Sequence, residues 1–198
     1  MTLEVFSDYV CPFCWLGEQG LLEFQAAESG VEIVRRAYEL RPDPMPTLDP
    51  SGEYLTRVWG SSVYPLAKRL GVTMTLPPVQ PRTRLAHEAA KWAAQEGGLD
   101  RFHAEVFRAF FERGEDIGQI DVLAGIADAL GMRGGTLREA LTRRWFQQDV
   151  TDDLRLAEEL GVHSVPAFVA DRRAGVAGVQ DLATLRQVVE HARAQSGR

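Results

Sequence analysis

The sequence predicts an α/β fold in which the two ends of the chain build one sheet and a large all-helical segment lies between them. Short strand-like runs of apolar and β-branched residues occur near both ends, whereas the middle of the chain has helical periodicity. Of its 198 residues, 45% are hydrophobic and 25% are charged, close to the globular average of about 45–50% and about 25%. The composition therefore favours one globular domain, or one domain with a large insertion, over disordered or fibrous classes.

The first forty residues are predicted to form a β-α-β unit. A short strand is expected over 3–6, followed by a polar turn and by Pro12, which suits the first turn of a helix. This helix should end near Ser29–Gly30. The alternating, β-branched segment 31–38 then predicts a second strand.

The middle of the chain begins with a proline-rich connection over 41–52 and then shows helical periodicity as far as Gly161. Aromatic residues recur along it at helical spacing, which favours a buried core over a substrate groove. These residues are Trp59, Tyr64, Trp92, Phe102, Phe107, Phe110 and Phe111.

Helix starts inside this block are predicted from capping residues. Asp121 is a candidate N-cap, and Thr136–Glu139 fits a capping box. The helix that this box opens should turn Leu141 and Trp145 inward.

The end of the chain returns to strand character. Two short apolar runs, 167–170 and 175–179, predict a β-hairpin, and Asp181 can cap a final amphipathic helix. Neither end alone has enough apolar face to stand free, so we expect both to pair in one sheet. The predicted sheet domain is 1–40 with 162–198, and the helical insertion is 41–161.

Charge and hydropathy exclude several classes of partner. Lys and Arg total 22 against 28 Asp and Glu, a net charge of −6, which opposes binding to nucleic acid or to anionic lipid. No run approaches the roughly 18 apolar residues of a membrane span. The segment 1–6 lacks the features of a signal peptide, so we expect a cytoplasmic protein. The arginine pairs at 35–36, 143–144 and 172–173 are interpreted as solvated faces or loop tips.

The two cysteines, Cys11 and Cys14, are the main chemical signal. They are too few for a disulfide scaffold or a four-ligand zinc site, and the four histidines are scattered, so no metal is expected. Among those histidines only His163 is a candidate for the site, because it lies three residues before Pro166.

A Cys-x-x-Cys at the first turn of a helix brings both sulfurs within disulfide reach. The unpaired N–H groups and the dipole of the helix favour the thiolate of Cys11, while Cys14, one turn further on, should face the protein. Cys11 would then exchange with a partner sulfur, and Cys14 would resolve the mixed disulfide. The pattern indicates a redox site that needs no cofactor.

A second motif, Ser-Val-Pro-Ala-Phe at 164–168, places a proline at the start of a strand. The Cys-Pro-Phe-Cys motif after a first strand, the helical insertion and this second motif together resemble the thioredoxin-like disulfide oxidoreductases of the DsbA type. The segment 6–17 is most similar to their FrnE branch. Further matches occur at Arg41–Pro42, Ala86–His87, 110–117 and 175–180, so the resemblance covers nearly the whole chain.

The resemblance implies a thioredoxin fold, a redox-active Cys11–Cys14 disulfide and a cis bond between Val165 and Pro166 packed against it. Val165 and Pro166 would present backbone polar groups to an extended substrate peptide. Relatives often carry Trp or His where this chain has Phe13, so strong oxidising power is not implied. Asp8, three residues before Cys11, either raises the pKa of Cys11, accepts its proton or caps the helix, and we favour the cap.

The implied function is thiol-disulfide exchange with protein or peptide thiols, as an oxidoreductase or isomerase. An external redox partner would restore the cysteine pair, and glutathione is a candidate co-substrate. One alternative is a glutathione-dependent isomerase or transferase of the 2-hydroxychromene-2-carboxylate isomerase or kappa type; these resemble the chain in fold but carry Ser at the position of Cys11. Another is a binding module in which the cysteine pair is a redox switch.

Overall fold

The computed structural model describes residues 1–196, and the strands in that part of the chain join in one mixed sheet of order β2-β1-β3-β4. The strands are β1 (Thr2–Ser7), β2 (Glu32–Ala37), β3 (Ala167–Ala170) and β4 (Ala174–Ala177). β1 pairs in parallel with β2 and antiparallel with β3, so Leu3 lies opposite both Ile33 and Ala170. The predicted β-α-β and β-β-α halves therefore combine in a single thioredoxin-like sheet.

Two helices supply the apolar layer on this sheet: α1 (Pro12–Ala27) and α9 (Leu182–Ser196). They bury Leu21 and Leu185 against strand residues such as Phe168. The predicted cap of α9 is confirmed, since the Thr184 N–H donates to Oδ1 of Asp181 over 2.8 Å.

The chain divides into two compact units, one formed by 1–38 together with the part from 153 onward, the other by 39–152. The second unit is helical, with a π-helical turn at Trp59–Val63 between α2 and α3. Its helices are α2 (Glu53–Val58), α3 (Tyr64–Leu70), α4 (Arg84–Gln95), α5 (Leu99–Phe111), α6 (Ile120–Ala129) and α7 (Gly134–Thr142). The next helix, α8 (Gln147–Glu159), runs through the boundary between the units, whereas the sequence placed the join after 161.

The aromatic side chains of the helical unit form its core, as predicted. Trp59, Trp92 and the phenylalanines of α5 are at most 3% exposed, and the rings of Phe110 and Phe111 lie 4.8 Å apart. Tyr64 differs, since it is 43% exposed. No helix within 1–196 is long and apolar enough to cross a membrane.

Two predicted helix starts are wrong. α6 begins at Ile120 with Gln119 as its N-cap, so Asp121 lies in the first turn. α7 begins at Gly134, because the N–H of this glycine donates to Asp128 and any side chain there would collide with the same carboxylate. Thr136 therefore lies within the helix. A tertiary contact, which local capping patterns do not contain, decides where α7 starts.

Trp145 also departs from its predicted place on the inner face of that helix. α7 ends at Thr142, so Trp145 follows the helix and is 50% exposed. Leu141, which lies within α7, is buried as predicted.

The arginine pair at 35–36 is partly buried, contrary to the sequence-based interpretation, whereas the pairs at 143–144 and 172–173 are exposed as predicted. Arg35 forms a 2.8 Å ion pair with Glu18, and both side chains are below 10% exposed. Arg144 forms two hydrogen bonds from its Nε and one from its terminal nitrogen to the fully buried Glu88. Arg143, at 65% exposure, and Arg172, at 56%, fit the predicted surface role. A buried carboxylate needs a charged partner, and this need recruits the arginines.

A second buried carboxylate, Glu4 of the central strand, has two such partners. Arg36 of β2 donates to it over 2.7 Å, and Arg172 from the hairpin turn lies 3.3 Å away. Arg36 also donates to Asp153 of α8, whose other oxygen accepts the Ala37 N–H over 2.8 Å. This network ties α8 to the edge strand β2 through charged hydrogen bonds.

Candidate active site

The cysteine pair lies at the junction between β1 and α1. Cys11 is the N-cap residue of α1, and Pro12 occupies the first helical position, where a missing N–H costs no hydrogen bond. The Cys11 N–H donates to the carbonyl of Asp8 over 3.0 Å, and the Cys14 N–H donates to the carbonyl of Cys11 over the same distance. Both thiols therefore stand on the first turn of the helix, as the motif predicts.

Cys11 meets a residue from the far end of the chain. Its Sγ donates to the backbone carbonyl of Val165 over 3.5 Å. The bond between Val165 and Pro166 is cis, as the family resemblance implied. The structure thus brings together Cys11 and the second motif, 154 residues apart in sequence.

Cys14 is the more deeply buried thiol, with 1% of its surface exposed against 4% for Cys11. The N–H of Asp8 donates to its Sγ over 3.4 Å. Burial raises the pKa of the Cys14 thiol well above its ordinary value, and the neighbouring Cys11 and the Asp8 carboxylate raise it further. Cys14 is therefore a thiol, not a thiolate, at neutral pH.

Asp8 is fully buried beneath the turn. It lies three residues before Cys11, which holds the N-cap position, so the interpretation of Asp8 as the N-cap is wrong. Its carboxylate instead contributes to raising the pKa values of Cys14, Tyr9 and Tyr38. That Asp8 accepts a thiol proton stays a prediction.

Sequence reasoning missed the polar groups under the site. Tyr9 is buried, and desolvation raises the pKa of its phenol, an effect that the nearby Arg35 opposes. Arg35 is itself paired with Glu18 of α1. Glu18 could have indicated these groups, because an ionisable residue in the apolar stripe of the first helix requires a buried polar partner.

The histidine candidate is not buried with the two cysteines. His163 is exposed on the loop that precedes Val165. Within residues 1–196, no group of three or more His, Cys, Asp and Glu side chains is placed to hold a metal ion.

Comparison with known proteins agrees with this geometry. The sequence model of the DsbA-like thioredoxin domain matches residues 2–190. The uncharacterized protein YwbO of Bacillus subtilis is 37% identical over 176 residues, which cover 84% of this chain and 85% of YwbO.

Two solved structures show the same fold. A probable DsbA oxidoreductase of Streptomyces coelicolor, SCO1869, superposes with a TM-score of 0.80 at 25% identity, covering 98% of this chain and 90% of the other. A 2-hydroxychromene-2-carboxylate isomerase superposes with a TM-score of 0.77 at 16% identity, covering 100% and 98%. With its paired cysteines at the helix start and the family match over 2–190, the chain belongs to the DsbA-like thioredoxin domain family of thiol oxidoreductases.

Proposed function

We propose that this protein exchanges disulfides with protein or peptide thiols through Cys11 and Cys14, as an oxidoreductase or isomerase. The observation that carries the proposal is the placement of both thiols on the first turn of α1, with Cys11 against the Val165 carbonyl. The first turn of a helix keeps the two sulfurs of a Cys-x-x-Cys pair within disulfide reach, and attack of one sulfur on a disulfide is the elementary step of exchange.

In the reducing direction, the Cys11 sulfur attacks a substrate disulfide and forms a mixed disulfide, releasing one substrate thiol. Cys14 then attacks the Cys11 sulfur and releases the second substrate thiol. The two protons of the dithiol end on the two product thiols, and two electrons pass to the substrate. The oxidising direction is the reverse, and the potentials of the partners decide between them.

Substrate recognition is assigned to Val165 and Pro166. The described residues contain no acceptor for the Val165 N–H, and the Val165 carbonyl is engaged by Cys11 alone. Both groups therefore offer main-chain hydrogen bonds to an extended peptide whose sulfur approaches Cys11. This mode of β-augmentation recognises backbone and tolerates many sequences.

The proposed cycle needs no resident cofactor beyond the cysteine pair. With two cysteines in the chain, the oxidised partner of Cys11 is Cys14 or a sulfur from another molecule. We assign the restoring role to an external thiol, with glutathione as the candidate co-substrate, and we place the activity in the cytoplasm, where such thiols are abundant.

The second candidate is a glutathione-dependent isomerase, which the superposition on the 2-hydroxychromene-2-carboxylate isomerase favours at the level of the fold. Fold does not establish activity. The paired thiols favour redox exchange over isomerisation.

The deciding experiment compares insulin-disulfide reduction and refolding of a scrambled disulfide protein for the wild type, Cys11→Ser and Cys14→Ser. We expect Cys11→Ser to lose at least about 99% of both activities, because a hydroxyl does not form the mixed disulfide. Cys14→Ser should accumulate a mixed disulfide with the substrate, visible by mass spectrometry.

Full activity in Cys11→Ser would refute the proposal. Glutathione-dependent turnover of an aromatic substrate by the wild type, without any dithiol cycling, would favour the isomerase. Leu22→Ala is a suitable control, since it changes an exposed side chain of the same helix and should leave both activities unchanged.

A further inference from the structure

Helix α1 carries a glycine where it faces the loop that contains Pro166. A Cβ added at Gly17 would lie 3.2 Å from Cγ of Pro166, 3.7 Å from its Cβ and 3.9 Å from Cζ of Phe168. The first of these distances is shorter than an ordinary carbon contact, and a proline ring cannot rotate away as a flexible side chain does. The absence of a side chain at Gly17 therefore lets the start of α1 lie directly on the loop.

The loop is also held by the segment 177–180, at the end of β4 and just after it. The carbonyl of Pro166 accepts the Gly178 N–H over 2.7 Å, and Nε2 of Gln180 donates to the Ala177 carbonyl over 2.7 Å. The backbone oxygen of Gln180 approaches α1 so closely at Gly20 that no side chain fits there. The segment 177–180 thus holds the backbone carbonyl of Pro166, while α1 lies against the Pro166 ring at Gly17.

We propose that Gly17 is a positioning residue that sets the distance between Cys11 and the Val165 carbonyl. Gly17 lies six residues after Cys11 on the same helix, and Pro166 directly follows Val165. Any increase in the separation of helix and loop at Gly17 is therefore transmitted to the contact between Cys11 and Val165. This inference rests on the proposed dithiol chemistry of the site.

The hydrogen bond between Cys11 and the Val165 carbonyl can form only when the cysteine pair is reduced. The Cys11 thiol donates a hydrogen bond to the Val165 carbonyl, whereas a disulfide sulfur has no hydrogen to donate. The contact therefore stabilises the dithiol relative to the disulfide. At 3.5 Å the sulfur is within hydrogen-bonding distance of the carbonyl oxygen, and an increase in this distance weakens the bond.

The measured reaction is the equilibrium with glutathione. The two thiols of the protein and one oxidised glutathione yield the Cys11–Cys14 disulfide and two reduced glutathiones, with two electrons passing to glutathione. We expect Gly17→Ala to raise the equilibrium constant for disulfide formation about two- to five-fold, the range set by the loss of one weak hydrogen bond. The disulfide fraction is read by thiol labelling and mass spectrometry.

Gly125→Ala is the matched control. Gly125 is also a helix-interior glycine, but no atom beyond its own stretch of helix lies within 4 Å of an added Cβ, so this change alters helix propensity without a clash. Its equilibrium constant should equal that of the wild type. An equal shift in Gly125→Ala would overturn the proposal, since the effect would then reflect helix propensity alone.

Gln180→Ala gives a second variant that does not depend on tolerance of a side chain at Gly17. It removes the hydrogen bond to the Ala177 carbonyl and loosens the segment 177–180, which holds the Pro166 carbonyl. We therefore expect a smaller rise in the equilibrium constant for disulfide formation. Wild-type equilibrium constants in both Gly17→Ala and Gln180→Ala would sink the inference while leaving the dithiol chemistry intact. A wild type whose cysteines form no disulfide in any glutathione buffer would instead refute the proposed function, and this inference with it.

Discussion

Cys14 is a thiol whose surroundings oppose its ionisation. Burial removes the water that would stabilise a thiolate, and the Asp8 carboxylate adds a like charge nearby. In the proposed cycle, Cys14 attacks only after Cys11 has entered a mixed disulfide, so the resting dithiol does not require an ionised Cys14. The same surroundings link the stability of the reduced protein to pH.

The sign of this linkage follows from the raised pKa of Cys14. Above about pH 8.5, the usual pKa of a free cysteine, the unfolded chain loses a proton that the folded chain retains. Stability is then fully present below pH 8.5 and falls as the pH rises, by up to about 1.4 kcal/mol per pH unit. Urea unfolding of the reduced protein from pH 7 to pH 10 measures this slope.

Two variants separate this thiol from the other groups that titrate in alkali. Cys14→Ala should remove most of the slope between about pH 8.5 and 9.5. Asp8→Asn should reduce the total loss, because the carboxylate is one of the causes of the raised pKa. A slope unchanged by Cys14→Ala would show that another group dominates.

Among the elements, α8 and β2 are joined by a side chain and not by apolar packing alone. Asp153 is 2% exposed, and its two oxygens accept from the Arg36 guanidinium over 3.0 Å and from the Ala37 N–H over 2.8 Å. The end of the edge strand thus has its N–H satisfied by a helix side chain. Such a buried donor is costly to leave without an acceptor.

We expect Asp153→Ala to lower the free energy of unfolding by about 1–3 kcal/mol, because the Ala37 N–H loses its acceptor and Arg36 loses one of its carboxylates. Chemical denaturation of the reduced protein measures the change. Asp152→Ala is the control, one residue away on the same helix but exposed, and it should change stability by less than about 0.5 kcal/mol. Equal effects of the two variants would contradict the role assigned to Asp153.

At the scale of the whole molecule, the sheet is completed by strands from opposite ends of the chain. β1 is central, with β2 on one side and β3 on the other, so residues 3–6 pair with residues 167–170. Phe168 lies opposite Val5 in this pairing and is 1% exposed in the core between the sheet and its helices. The redox site depends on this closure, because the hairpin that carries Phe168 directly follows Val165 and Pro166.

Phe168→Ala should therefore lower the free energy of unfolding by about 3–5 kcal/mol, the usual cost of removing a buried aromatic ring. Leu22→Ala removes a large apolar side chain of α1 that is 52% exposed, and it should cost less than about 0.5 kcal/mol. Both are measured by urea unfolding monitored by circular dichroism. A loss below about 1 kcal/mol in Phe168→Ala would contradict a rigid core at this position.

Elements with local signals were predictable from the order of the amino acids alone. A short strand-like run predicted β1, and period-two alternation predicted β2. Helical periodicity predicted the insertion, and the proline between Cys11 and Cys14 predicted a helix start at the pair. Asp181 was correctly predicted as a cap because its carboxylate acts within one helical turn. The family resemblance added the cis bond at Pro166, which composition and periodicity do not contain.

The contacts between residues far apart in sequence were not predictable in this way, because they depend on the folded chain. The tertiary structure placed the Val165 carbonyl against Cys11, recruited Arg35 and Arg36 to buried carboxylates, and started α7 at Gly134 where Asp128 accepts its N–H. These outcomes depend on desolvated polar groups finding partners far away in sequence. Local secondary-structure propensity does not include that requirement. An arginine pair on a strand is therefore predicted to be solvent-exposed, although in the folded protein buried glutamates lie beside it.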